Sequence, residues 1–295
     1  MQSYLVNTTQ SYGLSSHESA DRKSLGITQR IAHLTISADQ LARIALDAGK
    51  LIMEIYESDF DVDRKGDASP VTEADQRAEV LILKGLAEAE PSLPVVAEES
   101  FSDGKVPEHG HRFALVDPLD GTKEFVNKNG EFTVNIAIIE HGRPVMGVVY
   151  APARDRLFVA ESHNSAWQAT VEPGGDVPTE RTALKIRPAP EAGLTAVASK
   201  SHRSAETDDW LGKFDVAETV GAGSSLKFCL IAAGEADLYP RMGRTMEWDT
   251  AAGHSVVEAA GGRVLTEEAK PLLYGKKERG YDNPHFIVYG DVTPA

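Results

Sequence analysis

In the stretch ALVDPLDGTKEF, residues 114–125, an apolar run ends in two aspartates, Asp117 and Asp120, with Gly121 and Thr122 directly behind them. Strand ends are where α/β proteins place their chemistry. Pro118 predicts that a strand ladder stops there, and Gly121 admits a backbone conformation that other residues resist. A plain turn explains Asp, Pro and Gly equally well. Three more acidic stations have the same double character. Glu98 and Glu99 close the run PVVA, Asp249 precedes the Ala-rich segment of EWDTAAGHSVVEAAGG, and Asp75 follows Thr72 by three residues. Taken singly, they read as a solvated loop, a helix N-cap and the partner in a capping box.

Together they read differently, because all four stations lie at ends of apolar runs or starts of helices. Gathered carboxylates repel one another unless something cationic neutralises them. Oxygen donors without clustered His or Cys point to a hard cation, magnesium first. Magnesium shares its ligands with substrate phosphates, and a helix N-terminus at Asp249 would offer a phosphate N–H groups and the favourable end of the dipole. The chemistry indicated is a metal-assisted reaction at a phosphate.

The elements that must position these residues follow from periodicity. Residues 1–35 are polar and Ser-rich and predict a poorly ordered extension. SADQLARIALDAGKLIMEIYES repeats its apolar residues at helical spacing behind a capping box of Ser37 and Gln40. A second helix is expected from Thr72, as its N-cap, to Pro91. LPVVAEES and RFALVDP predict short strands. FTVNIAIIE, VMGVVYAP and RLFVAES then alternate with period two, an antiparallel meander. Beyond residue 180 the expected order is strand LTAVASKS, helix SSLKFCLIAAGEA, strand ADLYPR, a helix starting at Asp249, and late strands GGRVLTE and HFIVYG. The chain thus divides into an α+β subdomain over 36–180, holding the meander and most of the acidic residues, and an α/β subdomain over 181–295 holding Asp249. The simplest arrangement is two α/β layers sharing a cleft.

Composition limits the function classes. With 295 residues, 41% hydrophobic and 25% charged, the chain is long enough for a large core and is not disordered or fibrous. A net charge of −15 argues against nucleic acid polymers and anionic membranes as partners. An anionic substrate would need a local cation to offset that field. Cys229 is the single cysteine, so no intrachain disulfide can form. No apolar run predicts a membrane span, and the N-terminal residues lack a signal layout. The cytoplasm is expected, which leaves room for peripheral association with an inner membrane. Weaker motifs fall away. GAGSSL lacks the third glycine of a dinucleotide loop, EHGH reads as a solvated loop, and His254 with Glu258 lacks the second histidine of a zinc protease. No nucleophile elbow is present.

DPLDGT with WDTAAG, AEES upstream and TEAD earlier still resembles the lithium-sensitive, magnesium-dependent phosphatases of the inositol monophosphatase superfamily, over about residues 36–290. Within it, DGTKEF, SSLKFCLIAAGEADLYPR and SKSH resemble the 3′(2′),5′-bisphosphate nucleotidases of the CysQ type. The resemblance implies a layered α/β/α/β/α sandwich of the inositol monophosphatase and fructose-1,6-bisphosphatase type, with the site between two subdomains. It implies that Glu98, Asp117 and the Leu119 carbonyl hold one Mg2+, and that Asp117, Asp120 and Asp249 hold a second. Asp75 would stand near a third, weaker metal and the attacking water, which Thr122 would orient. Gly121 and Thr122 N–H groups would meet the phosphate. Ser199, Lys200, His202 and Lys227 would meet the rest of the nucleotide, with Lys200 standing where arginine is expected. For Lys227 an exposed place on a helix is the competing expectation.

The implied reaction is hydrolysis of 3′-phosphoadenosine 5′-phosphate to AMP and phosphate in sulfur assimilation, by a monomer or homodimer. The competing readings are an inositol-1-phosphate or fructose-1,6-bisphosphate phosphatase of the same superfamily, and a magnesium- or nucleotide-binding regulatory protein without turnover. A haloacid-dehalogenase phosphatase is rejected, because its nucleophilic Asp stands two residues before the second Asp and here the separation is three.

Overall fold

A computed structural model describes residues 35–58, 62–65, 69–199 and 204–294. The expected N-terminal extension lies outside them, as do Lys200 and His202 and the side chains of Thr72 and Ser199. Ser37 and Gln40 form the expected capping box: the Gln40 N–H donates to Ser37 Oγ at 3.3 Å and the Ser37 N–H donates to Gln40 Oε1 at 2.9 Å. They open α1 (Ala38–Tyr56), whose Leu41, Ala45, Ala48 and Ile52 are fully buried along one face. The hairpin β1 (Val62–Lys65) and β2 (Ser69–Thr72) leads into α2 (Glu73–Ala89), which stops ahead of Pro91.

A seven-stranded sheet follows, in the order β3 to β9. Its strands and short inserted helices are β3 (Val95–Ala97), α3 (Glu98–Ser102), β4 (Arg112–Asp120), α4 (Thr122–Val126), β5 (Thr133–Glu140), β6 (Arg143–Ala151), β7 (Arg156–Ser162), β8 (Ser165–Thr170) and β9 (Thr182–Ala183). Only β3 and β4 run parallel. Period-two alternation splits the strands between two cores. Ala114, Val116, Ile136 and Ile138 pack with α1 and α2, while Phe113, Leu115, Ala137 and Ile139 face the opposite way.

The second sheet comes from β10 (Leu194–Ser199), α5 (Ala205–Leu211), β11 (Val216–Ala222), α6 (Leu226–Ala232), β12 (Leu238–Arg241), α7 (Glu247–Ala259), β13 (Arg263–Thr266) and β14 (Phe286–Tyr289). Its strand order is β11-β10-β12-β14-β13. Tyr239, Phe286 and Val288 join the core of α6, α7 and the first sheet, and Leu238, Ile287 and Tyr289 pack with Trp210 and Leu211 of α5. The layers are therefore α/β/α/β/α. α7 is the middle helix, buried nearly all round, and small residues let it lie close to both neighbours. A Cβ on Gly147 of β6 would stand 2.3 Å from Ser255 Oγ and 3.1 Å from the Ala252 Cα, so only glycine admits the helix there. No helix among the described residues is long and apolar enough to cross a membrane.

Two local expectations are corrected. Pro118 does not end the ladder: after Asp117 pairs with Asn135, the strand bulges and resumes with Asp120 opposite Thr133. A bulge is where a strand tolerates a residue without an N–H. α7 begins at Glu247 with Met246 as N-cap, not at Asp249. The stretch DVDRKGDASP, which reads as turns, holds β1 and the first half of β2, and α3, α4, β8, β9, α5 and β11 are not expected from sequence either; β11 is an exposed edge strand, without the alternation that burial imposes.

Candidate active site

Parallel pairing of β3 and β4 creates the acidic cluster. Ala97 stands opposite Val116, so the next residues, Glu98 just past the end of β3 and Asp117 within β4, come side by side. Asp117 is 1% exposed, and its Oδ1 accepts the Leu119 N–H at 3.0 Å, a bond the bulge makes available. Asp249 arrives from the first turn of α7, where its Oδ2 accepts the Met246 N–H at 2.9 Å. It is thus a capping partner three residues into the helix rather than the cap itself. One carboxylate oxygen each from Glu98, Asp117 and Asp249 lie within 4.8 Å of one another. Asp75, in the first turn of α2, is buried and adds its charge to Glu98 and Asp117.

Ser225 ties Asp120 to this group. Its Oγ lies 3.0 Å from Asp120 Oδ2 and 2.7 Å from the Asp249 carbonyl oxygen, joining the end of β4 to α7. Glu79 on α2 does similar work for Glu98. Its carboxylate accepts the Glu99 N–H at 2.7 Å, the Ser100 N–H at 2.8 Å and the Ser100 hydroxyl at 2.6 Å, holding the first turn of α3. Glu79→Ala is expected to lower stability by about 1–2 kcal/mol, the usual cost of a lost cap with its donors left unpaired. Urea denaturation at fixed pH measures it.

Burial and mutual repulsion put the cluster under charge stress. Burial, and then the neighbouring carboxylates, hold Glu98 and Asp117 well above the usual carboxylate range. Burial, with Asp120 next, pushes Asp249 up to about 7, against the Met246 N–H and the cations Arg241 and Lys227. Burial raises Asp120 too, while Lys227 and Ser225 oppose it. Lys227 is pushed down to about 8, by burial first, with Asp120 opposing. Oxygen-only donors that resist ionisation alone, brought this close, fit a hard divalent cation.

A cavity of about 430 Å³ opens beside the cluster. Asp120, Gly121, Thr122 and Asp249 line it, and so do four cations: Lys123, Lys227, Arg241 and Arg244. Gly121 turns β4 into α4 at φ +96°, and a Cβ there would meet the Glu131 oxygen and the Phe132 Cα at 3.3 Å. Lys227 is 6% exposed, which excludes the exposed-helix expectation. Arg241, at the end of β12, and the clasps Ser225 and Glu79 were not singled out from sequence. A charge closing the apolar strand ADLYPR was the one available signal. The set-aside His109 and His254 are structural. Glu108, Gly110 and His111 are exposed, as a solvated loop predicts, while the half-buried His109 stacks on Phe113 at 3.9 Å and meets the Tyr281 hydroxyl at 3.0 Å; His254 Nδ1 meets the Tyr274 hydroxyl at 2.8 Å.

Known proteins resemble this chain over most of the described fold. Residues 35–286 match the inositol monophosphatase family. The Escherichia coli K12 protein 3′(2′),5′-bisphosphate nucleotidase CysQ is 45% identical over 252 residues, covering 85% of this chain and 98% of its own. The crystal structure of CysQ from Bacteroides thetaiotaomicron superposes with a TM-score of 0.72 at 37% identity, covering 87% of this chain and 97% of that one. An IMPase from Thermotoga maritima superposes at 0.67 and 25% identity, covering 85% and 90%. With its acidic cluster at the ends of β3 and β4 and its middle helix closing the site, the chain belongs to the inositol monophosphatase family.

Proposed function

We propose that this chain is a magnesium-dependent 3′(2′),5′-bisphosphate nucleotidase that hydrolyses 3′-phosphoadenosine 5′-phosphate to AMP and phosphate, in the cytoplasm, as part of sulfur assimilation. The observation that carries this reading is the composition of the cavity. It sets Asp120 and Asp249, the latter shared with the carboxylate cluster suited to divalent cations, beside Lys123, Lys227, Arg241 and Arg244, as a substrate with two separate phosphates requires. Identity of 45% to bisphosphate nucleotidases supports it.

In this reading Glu98, Asp117 and the Leu119 carbonyl would hold one Mg2+, Asp117, Asp120 and Asp249 would hold a second, and Asp75 would serve a third. Magnesium so held supplies Lewis-acid polarisation of the phosphoryl group and a more acidic attacking water. Thr122, with Asp75, orients that water for in-line attack, and the Gly121 and Thr122 N–H groups hold the phosphoryl oxygens. Lys227 and Arg241 meet the second phosphate. Ser199, Lys200 and His202 would extend the contacts along the nucleotide, with Lys200 offering phosphate a point charge where arginine would give a fork. No phosphoenzyme is needed.

Phosphate release with magnesium, compared across 3′-phosphoadenosine 5′-phosphate, inositol 1-phosphate and fructose 1,6-bisphosphate, tests the reading. The nucleotide should lead by about 100-fold or more in kcat/KM, because the cations would be left unpaired by inositol 1-phosphate. A sugar phosphate in the lead would keep the metal chemistry and remove the nucleotide. No release from any substrate would remove catalysis.

A further inference from the structure

Two buried polar side chains on β5 have nothing to bond. Asn135 and Thr133 are fully buried, yet Asn135 Nδ2 and Oδ1 and Thr133 Oγ1 have no hydrogen-bond partner among the described residues. Native interiors rarely leave such groups unpaired, and an amide with both ends orphaned is the more unusual case. Their places in the ladder are informative. Asn135 is directly opposite Asp117, and Thr133 is directly opposite Asp120. Opposed residues of an antiparallel pair share a face of the sheet, with Cβ atoms roughly 4.5–5.5 Å apart. On the other side Asn135 pairs with Val149, whose side chain offers no polar atom. The bulge keeps both pairings, although two residues separate the aspartates and only one separates their partners.

We infer that Asn135 and Thr133 are positioning residues for the cation site: their side chains hydrogen-bond the Asp117 and Asp120 carboxylates, or water beside them, when those carboxylates hold metal. This rests on the metal reading given above. Ligand carboxylates are generally held by such partners, which orient them and set affinity. Neither residue touches the substrate in this scheme.

The test is Asn135→Leu and Thr133→Val, with two readouts: Mg2+ affinity by titration calorimetry and the Tm of the EDTA-treated protein. Apolar replacements of similar shape remove an unpaired polar group, so the metal-free Tm should stay level or rise. Mg2+ should bind about 10–100-fold more weakly in Asn135→Leu and about tenfold more weakly in Thr133→Val. Turnover should recover at raised magnesium. A purely structural pair would lower the metal-free Tm and leave affinity alone. Binding within about twofold of the unmodified protein in either variant that folds would overturn the inference. Thr133→Val, the smaller change, keeps it testable should Asn135→Leu not fold. If the unmodified protein itself binds no Mg2+, the metal reading fails and takes this inference with it. If it binds and the variants match it, only this inference fails.

Discussion

Asp117→Asn is expected to abolish phosphate release while making the metal-free protein more stable. Both signs have one origin. Asp117 is 1% exposed and shares its surroundings with Glu98, Asp120, Asp249 and Asp75. Burial and those neighbours already disfavour its charge, so a neutral amide of the same shape relieves the folded state. The same amide is a poor ligand for a hard cation. Losing a mere partner of a metal ligand costs ~10–100-fold, so losing this ligand should exceed ~100-fold in kcat/KM. Phosphate assays with magnesium and urea denaturation in EDTA at about pH 8 check the two halves. Retained turnover would take Asp117 out of the chemistry. A less stable variant would mean that the carboxylate is stabilising in its charged form, against the charge stress argued above.

The second large effect is a stability that falls as pH rises, opposite to the ordinary behaviour of paired carboxylates. Asp249 has its folded pKa raised to about 7 from the usual aspartate range. Between those values the folded protein binds more protons at Asp249 than the unfolded one, so the stability this group contributes is full below about pH 4 and is lost as pH climbs through about 7. The interval is worth on the order of 4 kcal/mol for Asp249 taken alone. Glu98, Asp117 and Asp120 shift in the same direction and steepen the loss. Magnesium should reverse it, because binding requires the ionised forms and releases protons. Denaturation in EDTA and in magnesium from about pH 4 to about pH 8 should therefore give curves that diverge with rising pH. Calorimetry in buffers of different ionisation enthalpy should show protons released on binding near neutrality. Parallel curves would mean that the cluster does not bind the ion.

Most of the architecture was legible because the core is periodic. α1, with its Ser37–Gln40 box, and strands β5 to β7 follow from apolar residues at helical or alternate spacing, which burial on one side imposes directly. β11 was invisible because an exposed edge strand needs no such pattern. α5 was missed because seven residues carry too little repetition, though its Trp210 and Leu211 fill a core of their own. Pro118 misled because its steric meaning is local, while the bulge that accommodates it is a property of two strands.

The site divides along the same line. From the chain alone, the identities of Asp75, Glu98, Asp117, Asp120 and Asp249, their places at element ends, and the need for a cation among gathered carboxylates could all be derived, since charge repulsion and donor chemistry depend only on residue type. That the residues gather at all was decided by tertiary structure. Parallel pairing sets Glu98 beside Asp117, and a middle helix of small residues brings Asp249 across from the other half of the sequence. The partners that hold them, Glu79 twenty residues from Glu99 and Ser225 more than a hundred from Asp120, are ordinary residues in sequence. They acquire a role only because folding places a donor or acceptor within 3 Å, and no local pattern records a contact between segments that distant.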